Sequence, residues 1–176
     1  MRPRIIILLL LIIPVVAFAQ KAPVANAGAQ FINYKYKGVS PPNRLPNGVK
    51  HLGGGLVGNF DADPVYGISR VTKGTTTMLW LEVSTGRDAT GVTGWRVLDV
   101  LSFPALRPTQ HLAFALDPAI ECVRDGKELT DDTVIIGQLF RKSGTYKPEG
   151  VWIANLKTGK FERSTVAGLK CAYTEP

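Results

Sequence analysis

The sequence has few of the residues on which metal and cofactor chemistry depends. Its 176 residues include only two cysteines and two histidines. Two cysteines exclude both a four-cysteine zinc site and a disulfide-dense miniprotein, because each needs more thiols. His51 and His111 have no histidine, cysteine, aspartate or glutamate two or four positions away, the spacing that brings a second ligand to the same metal. We therefore predict no metal site and no cofactor.

Motifs of enzyme active sites are also missing. There is no G-x-S-x-G nucleophile elbow, and the glycine run Gly53–Gly55 is not followed by the lysine of a phosphate-binding loop. Two pairs of neighbouring aspartates, Asp61 with Asp63 and Asp131 with Asp132, leave a hydrolase of cell-wall polymer as an alternative, since glycosidases use two carboxyl groups. The sequence predicts a protein without catalytic residues.

The N-terminus is typical of an export signal. Two arginines precede an apolar run over residues 5–18, and a small-x-small sequence ends at Ala19. The run is shorter than the ~20 residues of a membrane-spanning helix, so an uncleaved anchor is the less favoured alternative. We predict a signal peptide over residues 1–19 and an exported protein, periplasmic or secreted.

Positive charge is concentrated after this signal. The formal net charge is +7, and residues 20–60 contain five basic residues and no acidic one. Proline, glycine and asparagine interrupt residues 20–50, which predicts a flexible basic arm. An exported protein rarely meets nucleic acid, so we expect an anionic lipid or cell-wall surface as the arm's partner, with a solvated linker as the alternative. The predicted contacts with that surface are Lys35, Lys37, Arg44 and Lys50.

Residues 51–176 form the predicted folded domain, and their pattern is that of β-structure. Apolar and polar residues alternate in several short segments, and no long segment has a helical period. The predicted strands 75–84 and 95–101 are joined as a hairpin. Residues 133–140 are a β-branched run that is apolar on both faces and predicts a central buried strand. Strands 151–156 and 161–166 form a second hairpin whose turn has Gly159 in the left-handed position. A last strand covers residues 169–173, and an edge strand is added within 31–36. The predicted fold class is mainly β: a single antiparallel domain, either a sandwich, a roll or a small barrel, with little helix.

Cys122 and Cys171 are predicted to form a disulfide. Export places them in an oxidising compartment, and neither has a C-x-x-C partner or a neighbouring histidine that would make it a reactive thiol. The bridge closes a loop of about 50 residues, which on chain-entropy grounds stabilises the fold by about 4 kcal/mol.

Three tryptophans, Trp80, Trp95 and Trp152, each fall in a predicted strand. They form either a sugar- or peptide-binding face, to which Arg96 adds an anion contact, or part of the hydrophobic core. Asp99 alternates onto the same predicted face as Trp95, where a carboxylate must be paired, hydrogen-bonded or protonated.

The hexapeptide Gly58-Asn59-Phe60-Asp61-Ala62-Asp63 resembles the start of an FG-GAP/VCBS-type calcium loop. Ala62 and Pro64 replace two glycines of that loop, and the further acidic ligands are absent. The resemblance therefore implies a degenerate loop without a strong calcium site.

A second resemblance covers most of residues 50–172. The glycine run at 53–55, Leu79–Glu82, Gly94–Leu101, Lys157–Glu162 and Gly168–Cys171 together resemble a family of small exported bacterial proteins with no assigned function. The resemblance implies an exported β-rich domain with a cysteine near its end.

Export, a single stapled β-domain and missing catalytic motifs together predict a non-catalytic binding module. An inhibitor, an immunity protein or an envelope accessory protein would fit, and its partner would be an envelope protein. The alternatives are a structural envelope protein held by the basic arm and an enzyme acting on cell-wall polymer.

Overall fold

The computed structural model describes residues 28–38, 45–114 and 119–174. These residues form two sheets in which all paired strands are antiparallel, together with two single 3-10 turns and no α-helix. This architecture confirms the predicted mainly β domain. The predicted signal peptide and Arg44 lie outside the described residues.

The first sheet has five strands. They are β1 (Lys35–Lys37), β2 (Val49–Val57), β3 (Tyr66–Lys73), β4 (Thr76–Arg87) and β5 (Thr93–Phe103). Their order is β1-β5-β4-β3-β2, so β1 and β2 are the two edges of this sheet. The predicted hairpin of residues 75–84 and 95–101 is β4 and β5.

The second sheet has seven strands. They are β6 (Gln110–Phe114), β7 (Ile120–Arg124), β8 (Lys127–Glu128), β9 (Thr133–Phe140), β10 (Thr145–Asn155), β11 (Lys160–Ser164) and β12 (Leu169–Tyr173). The order is β6-β9-β10-β12-β7-β8, and β11 pairs with the second half of β10. The predicted buried strand is β9, which lies between β6 and β10, and Gly159 has a positive φ in the predicted β10–β11 turn.

The main hydrophobic core lies between the two sheets. Leu79 and Leu81 of β4 pack in one cluster with Val134 of β9 and Trp152 of β10, and none of these is more than 5% exposed. Phe103 at the end of β5 meets Trp152 edge-on, with ring centroids 5.5 Å apart. Burial of each such side chain stabilises the fold by about 1.5–3 kcal/mol. Because the two sheets share this core, they form a sandwich.

The opposite, outer face of the first sheet carries a second core, which includes the N-terminal segment, defined here as residues 28–38. Phe31 and Tyr36 of this segment are each 4% exposed, and their ring centroids lie 5.2 Å and 6.0 Å from that of Trp80. The backbone N–H of Asn33 donates to the carbonyl of Val97 at 2.8 Å.

The folded domain therefore begins at or before Gly28, and the predicted boundary at residue 51 is corrected. Residues 28–38 and 45–50, which the sequence assigns to a flexible arm, contribute a 3-10 turn, β1 and the start of β2. The predicted edge strand within residues 31–36 is confirmed in part: β1 is Lys35–Lys37, whereas Phe31 lies in the 3-10 turn Ala29–Phe31. The glycine and proline residues of this stretch predicted mobility, but Phe31 and Tyr36 pack against Trp80 of the first sheet.

A β-bulge in β5 changes which face its residues occupy. The pairing of β4 with β5 shifts register between Leu81 and Glu82, which leaves Leu98 as an extra residue in β5. Asp99 therefore lies on the inner face, whereas Trp95 lies on the outer face. The prediction that these two side chains share a face is wrong, because strict alternation does not continue through a bulge.

Candidate interaction surfaces

The three tryptophans do not form a shared binding face. Trp80 is completely buried on the outer face of the first sheet, and Trp152 is 5% exposed in the core between the sheets. Only Trp95 is partly accessible, opposite Tyr36 in the pairing of β1 with β5. Trp80 and Trp152 are therefore core residues, and the alternative of a tryptophan platform is corrected.

Two predicted contact residues are brought together at the β1 edge. Lys35 of β1 lies directly opposite Arg96 of β5, and we call these two residues the cationic pair. Lys35 is exposed and Arg96 is half-buried. Like charges at directly opposed positions of a sheet are destabilising, so this arrangement works against the stability of the edge.

The backbone bonding brings the two side chains of the cationic pair close to each other. Val97 N–H donates to the Tyr34 carbonyl at 3.0 Å, and Gly38 N–H donates to the Thr93 carbonyl at 3.0 Å. Bonded and non-bonded pairs alternate along an antiparallel ladder. The cationic pair therefore falls at a non-bonded position, where opposed Cα atoms are about 4.5 Å apart and side chains are closest.

The other predicted basic contacts are dispersed. Lys37 Nζ forms an ion pair with Asp88 Oδ2 at 3.1 Å, beside the cationic pair. Hydrogen bonds from Thr90, then from Lys37, lower the pKa of Asp88. Lys50 is exposed on β2, at the opposite edge of the sheet. The predicted anionic-surface contacts therefore do not form one continuous patch among the described residues.

The hydrogen bonding of β3 shows which backbone groups of the neighbouring β2 are free. Ser84 N–H donates to the Val65 carbonyl at 2.8 Å, immediately before the first paired residues of β3 and β4. By the same alternation, Gly67 bonds to β4, whereas Tyr66 and Ile68 direct their N–H and C=O groups toward β2.

The outer edge of β2 consequently presents backbone groups to its surroundings. Val57 and Gly55 are opposite Tyr66 and Ile68 and bond to them, so Gly54 and Leu56 direct their N–H and C=O groups away from β3. No strand within the described ranges pairs with this edge.

The side chains around this edge are apolar and accessible. Leu52, Leu56 and Phe60 are 48%, 44% and 54% exposed, and they are three of the seven exposed large hydrophobic residues among those described. No charged residue occurs from Leu52 to Phe60. We call residues 52–60 the apolar edge.

Strand β2 requires a glycine at position 54, because it approaches β3 closely there. A Cβ atom added there would contact the carbonyl oxygen of Ile68 and lie 2.9 Å from the Cα of Ser69. Only glycine therefore lets β2 approach β3 at this point.

Glu82 is the buried acidic group of the first sheet, and the sequence analysis did not single it out. It is 3% exposed and accepts hydrogen bonds from Tyr36 Oη at 2.5 Å and Ser69 Oγ at 2.6 Å. Burial raises the pKa of Glu82, and these two hydrogen bonds oppose that rise only partly. Burial, followed by the nearby Glu82, also raises the pKa of Tyr36. The sequence contains one sign of this burial: Glu82 lies between Leu81 and Val83, in a strand that carries apolar residues on both faces.

Glu149, in contrast, is held as an ion. Arg107 Nη2 donates to both of its carboxylate oxygens at 2.6 and 2.8 Å, and the side-chain amides of Gln110 and Gln138 donate as well. Burial raises the pKa of Glu149, but these hydrogen bonds together outweigh that effect and lower it. The cluster joins β10 to β6 and β9, which is a structural role.

The aspartates considered for catalysis mostly bind backbone or neighbouring hydroxyl groups. Asp131 Oδ2 accepts from Gly58 N–H at 3.0 Å, and Asp132 Oδ1 accepts from the hydroxyl of the nearby Thr130. Asp99 Oδ2 accepts from Phe161 N–H at 2.8 Å, which ties β5 to β11. The described residues contain no cluster of three or more His, Cys, Asp or Glu side chains that would hold a metal.

The predicted disulfide joins Cys122 and Cys171. The two residues are directly opposite each other in β7 and β12, with Cα atoms 4.1 Å apart. The bridge therefore holds the last strand of the domain onto the middle of the chain.

Comparisons with known proteins identify no relative. No family model, no curated protein and no solved structure matches this chain. Among the residues that the structure describes, no helix is long and apolar enough to cross a membrane.

Proposed function

We propose that this protein is an exported, non-catalytic binding module that holds a partner protein by strand addition along β2. The observation that carries the proposal is the apolar edge: residues 52–60 have no charge, and the backbone groups of Gly54 and Leu56 point away from the sheet. An added strand would satisfy those groups, and Leu56 would contact its side chains.

The contrast between β2 and two other strands near sheet edges supports this proposal. Proteins protect sheet edges with very short strands and with charged residues, especially lysine. β1 has three residues, two of them lysines, and β8 consists only of Lys127 and Glu128. β2 has nine residues, and no charged residue follows His51 in this strand. The edge strand β6 also lacks charged residues but has only five residues, so β2 is the longest edge strand among the described residues. A long edge without charge suggests that a partner covers it.

The predicted export signal and the disulfide support a partner in the cell envelope or outside it. An inhibitor, an immunity protein or an envelope accessory protein would act in this way, without chemistry of its own. The structural roles of Asp99, Asp131 and Asp132 favour this proposal over the hydrolase alternative.

The test uses Leu56→Pro, which removes an outward N–H group and an exposed apolar side chain without removing a hydrogen bond to β3. Val166→Lys is the matched control, because Val166 is 43% exposed and lies outside β2. Each mature protein is immobilised and incubated with the envelope fraction, and the captured protein is purified. We expect wild type and Val166→Lys to retain the same partner, and Leu56→Pro to lose it.

Hydrogen exchange on the purified complex then locates the contact. Strand addition requires that the partner slow exchange of the Gly54 and Leu56 amides. Equal binding by Leu56→Pro, or unchanged exchange along β2 in the complex, would show that the partner binds elsewhere.

A further inference from the structure

We propose that the cationic pair, Lys35 and Arg96, is a binding site for a phosphate group, separate from the apolar edge. Only the tertiary structure creates this site: the two residues are 61 positions apart in the chain and meet through the pairing of β1 with β5. The proposal does not depend on strand addition at β2.

The pairing puts two complementary kinds of donor at opposed positions on one face of the sheet. Opposed residues on one face of an antiparallel pair have Cβ atoms about 4.5–5.5 Å apart. The guanidinium of Arg96 supplies a planar fork suited to two phosphate oxygens, and the ammonium of Lys35 supplies a mobile point charge. One phosphate between them would turn a repulsive contact into an attractive one.

Hydrogen bonds hold the backbone under the site. Three hydrogen bonds hold the N-terminal segment to β5: Asn33 N–H to the Val97 carbonyl, Val97 N–H to the Tyr34 carbonyl, and Gly38 N–H to the Thr93 carbonyl. Tyr36, between Lys35 and Lys37, is buried on the other face and donates to Glu82. The Lys35 backbone is therefore held by the pairing with β5 and by the burial of the adjacent Tyr36.

The protein itself does not neutralise the pair. Among the described residues, neither Lys35 nor Arg96 has a carboxylate within 4.0 Å, whereas the neighbouring Lys37 is paired with Asp88. Asp88 is thus engaged with Lys37 rather than with the pair. An external anion is the group that this arrangement lacks.

The ligand is a phosphate or phosphodiester, which two sources can supply: an anionic lipid headgroup or a soluble phosphate compound. The first probe is inorganic phosphate, added to the ¹⁵N-labelled mature protein and compared with chloride at equal ionic strength. Phosphate should shift the amide resonances of residues 34–37 and 94–97 in a saturable way, and chloride should not.

The key variant is the double substitution Lys35→Gln and Arg96→Gln. The matched control is Lys127→Gln with Lys170→Gln, which removes the same charge from the exposed surface of the second sheet. We expect the key variant to bind phosphate at least roughly tenfold more weakly, since each charged hydrogen bond makes a substantial contribution, and the control to bind as wild type does. The key variant should also melt higher than wild type without phosphate, because the like-charge contact is gone.

Vesicles identify the source of the phosphate. Sedimentation with phosphatidylglycerol vesicles, but not with phosphatidylcholine vesicles, that is lost in the key variant would support a lipid headgroup. Phosphate binding without vesicle binding would support a soluble ligand.

Three results would overturn the assignment. The first is wild-type protein whose 34–37 and 94–97 resonances respond no more to phosphate than to chloride. The second is an equal phosphate response in the key variant. The third is sedimentation with phosphatidylglycerol vesicles that the key variant retains. Arg96→Lys keeps the charge and removes the fork, so it provides a further folded comparison: it should bind phosphate more weakly than wild type.

Discussion

Replacing Glu82 with glutamine should change how the stability of the domain depends on pH. Glu82 is 3% exposed, and its burial favours the neutral carboxylic acid although Tyr36 and Ser69 donate hydrogen bonds that favour the carboxylate. Glutamine has nearly the same shape and stays neutral at every pH. Its carbonyl can accept one of the two hydroxyl protons, and the other hydroxyl can rotate to accept from the amide.

The raised pKa of Glu82 determines how the stability of the fold changes with pH. The folded protein holds the proton of Glu82 more tightly than the unfolded chain, whose glutamates have a pKa near 4.5. The stabilisation by this group is therefore complete below about pH 4.5 and is lost as pH rises through the folded pKa. The loss is at most about 1.4 kcal/mol per pH unit for one proton.

The difference between the two proteins isolates this group. Other carboxylates, such as Glu149, have lowered pKa values and destabilise the fold as pH falls, but they contribute equally to both proteins. Below about pH 4.5 we expect Glu82→Gln to unfold within about 1 kcal/mol of wild type. As pH rises, its relative stability should increase until it exceeds that of wild type.

Urea unfolding, with the disulfide intact, measures both free energies from pH 4 to pH 8, a range chosen around the ordinary glutamate pKa of 4.5. Glu128→Gln is the matched control, because Glu128 is exposed on β8 and should leave the profile parallel to that of wild type. Parallel profiles for wild type and Glu82→Gln would refute the reasoning, since Glu82 would then titrate alike in the folded and unfolded chains.

Three further predictions concern the fold. Replacing Cys122 and Cys171 with alanine should lower the thermal midpoint by on the order of 10 °C, and the native wild type should show no titratable thiol. Phe31→Ala should destabilise by about 3–5 kcal/mol in urea unfolding and speed proteolysis of the N-terminal segment, whereas an unchanged cleavage rate would mean that its ring does not anchor that segment. Gly54→Ala should lower the urea midpoint and speed amide exchange in β2, because the added methyl group meets the β3 backbone. Wild-type stability in that variant would contradict the close approach of these strands.

The local sequence pattern was sufficient to predict strands with alternating or β-branched residues, and turns that contain a glycine. Alternation predicted β4 and β5, the β-branched run predicted β9, and Gly159 predicted the β10–β11 turn. The disulfide was predictable because two cysteines allow one intramolecular pairing, and the predicted export signal favours its oxidation. Each of these inferences uses residues that are neighbours in the chain or have one choice of partner.

Strand β2 and most of the N-terminal segment were not predictable in this way. β2 contains three consecutive glycines, which have low strand propensity and no side chain to mark a face. The N-terminal segment is ordered by contacts with Trp80, far along the chain, so its local composition gives no sign of them.

The sequence by itself determined the mainly β class, the antiparallel hairpins, the disulfide and the expectation of export, because each depends on short-range pattern or composition. Only the tertiary structure decided which residues meet. A single extra residue in β5 separates Asp99 from Trp95, strand order makes β2 an edge, and the pairing of β1 with β5 puts Lys35 opposite Arg96. These are long-range registers, and a register depends on the packing of the whole sheet rather than on the residues of either strand alone.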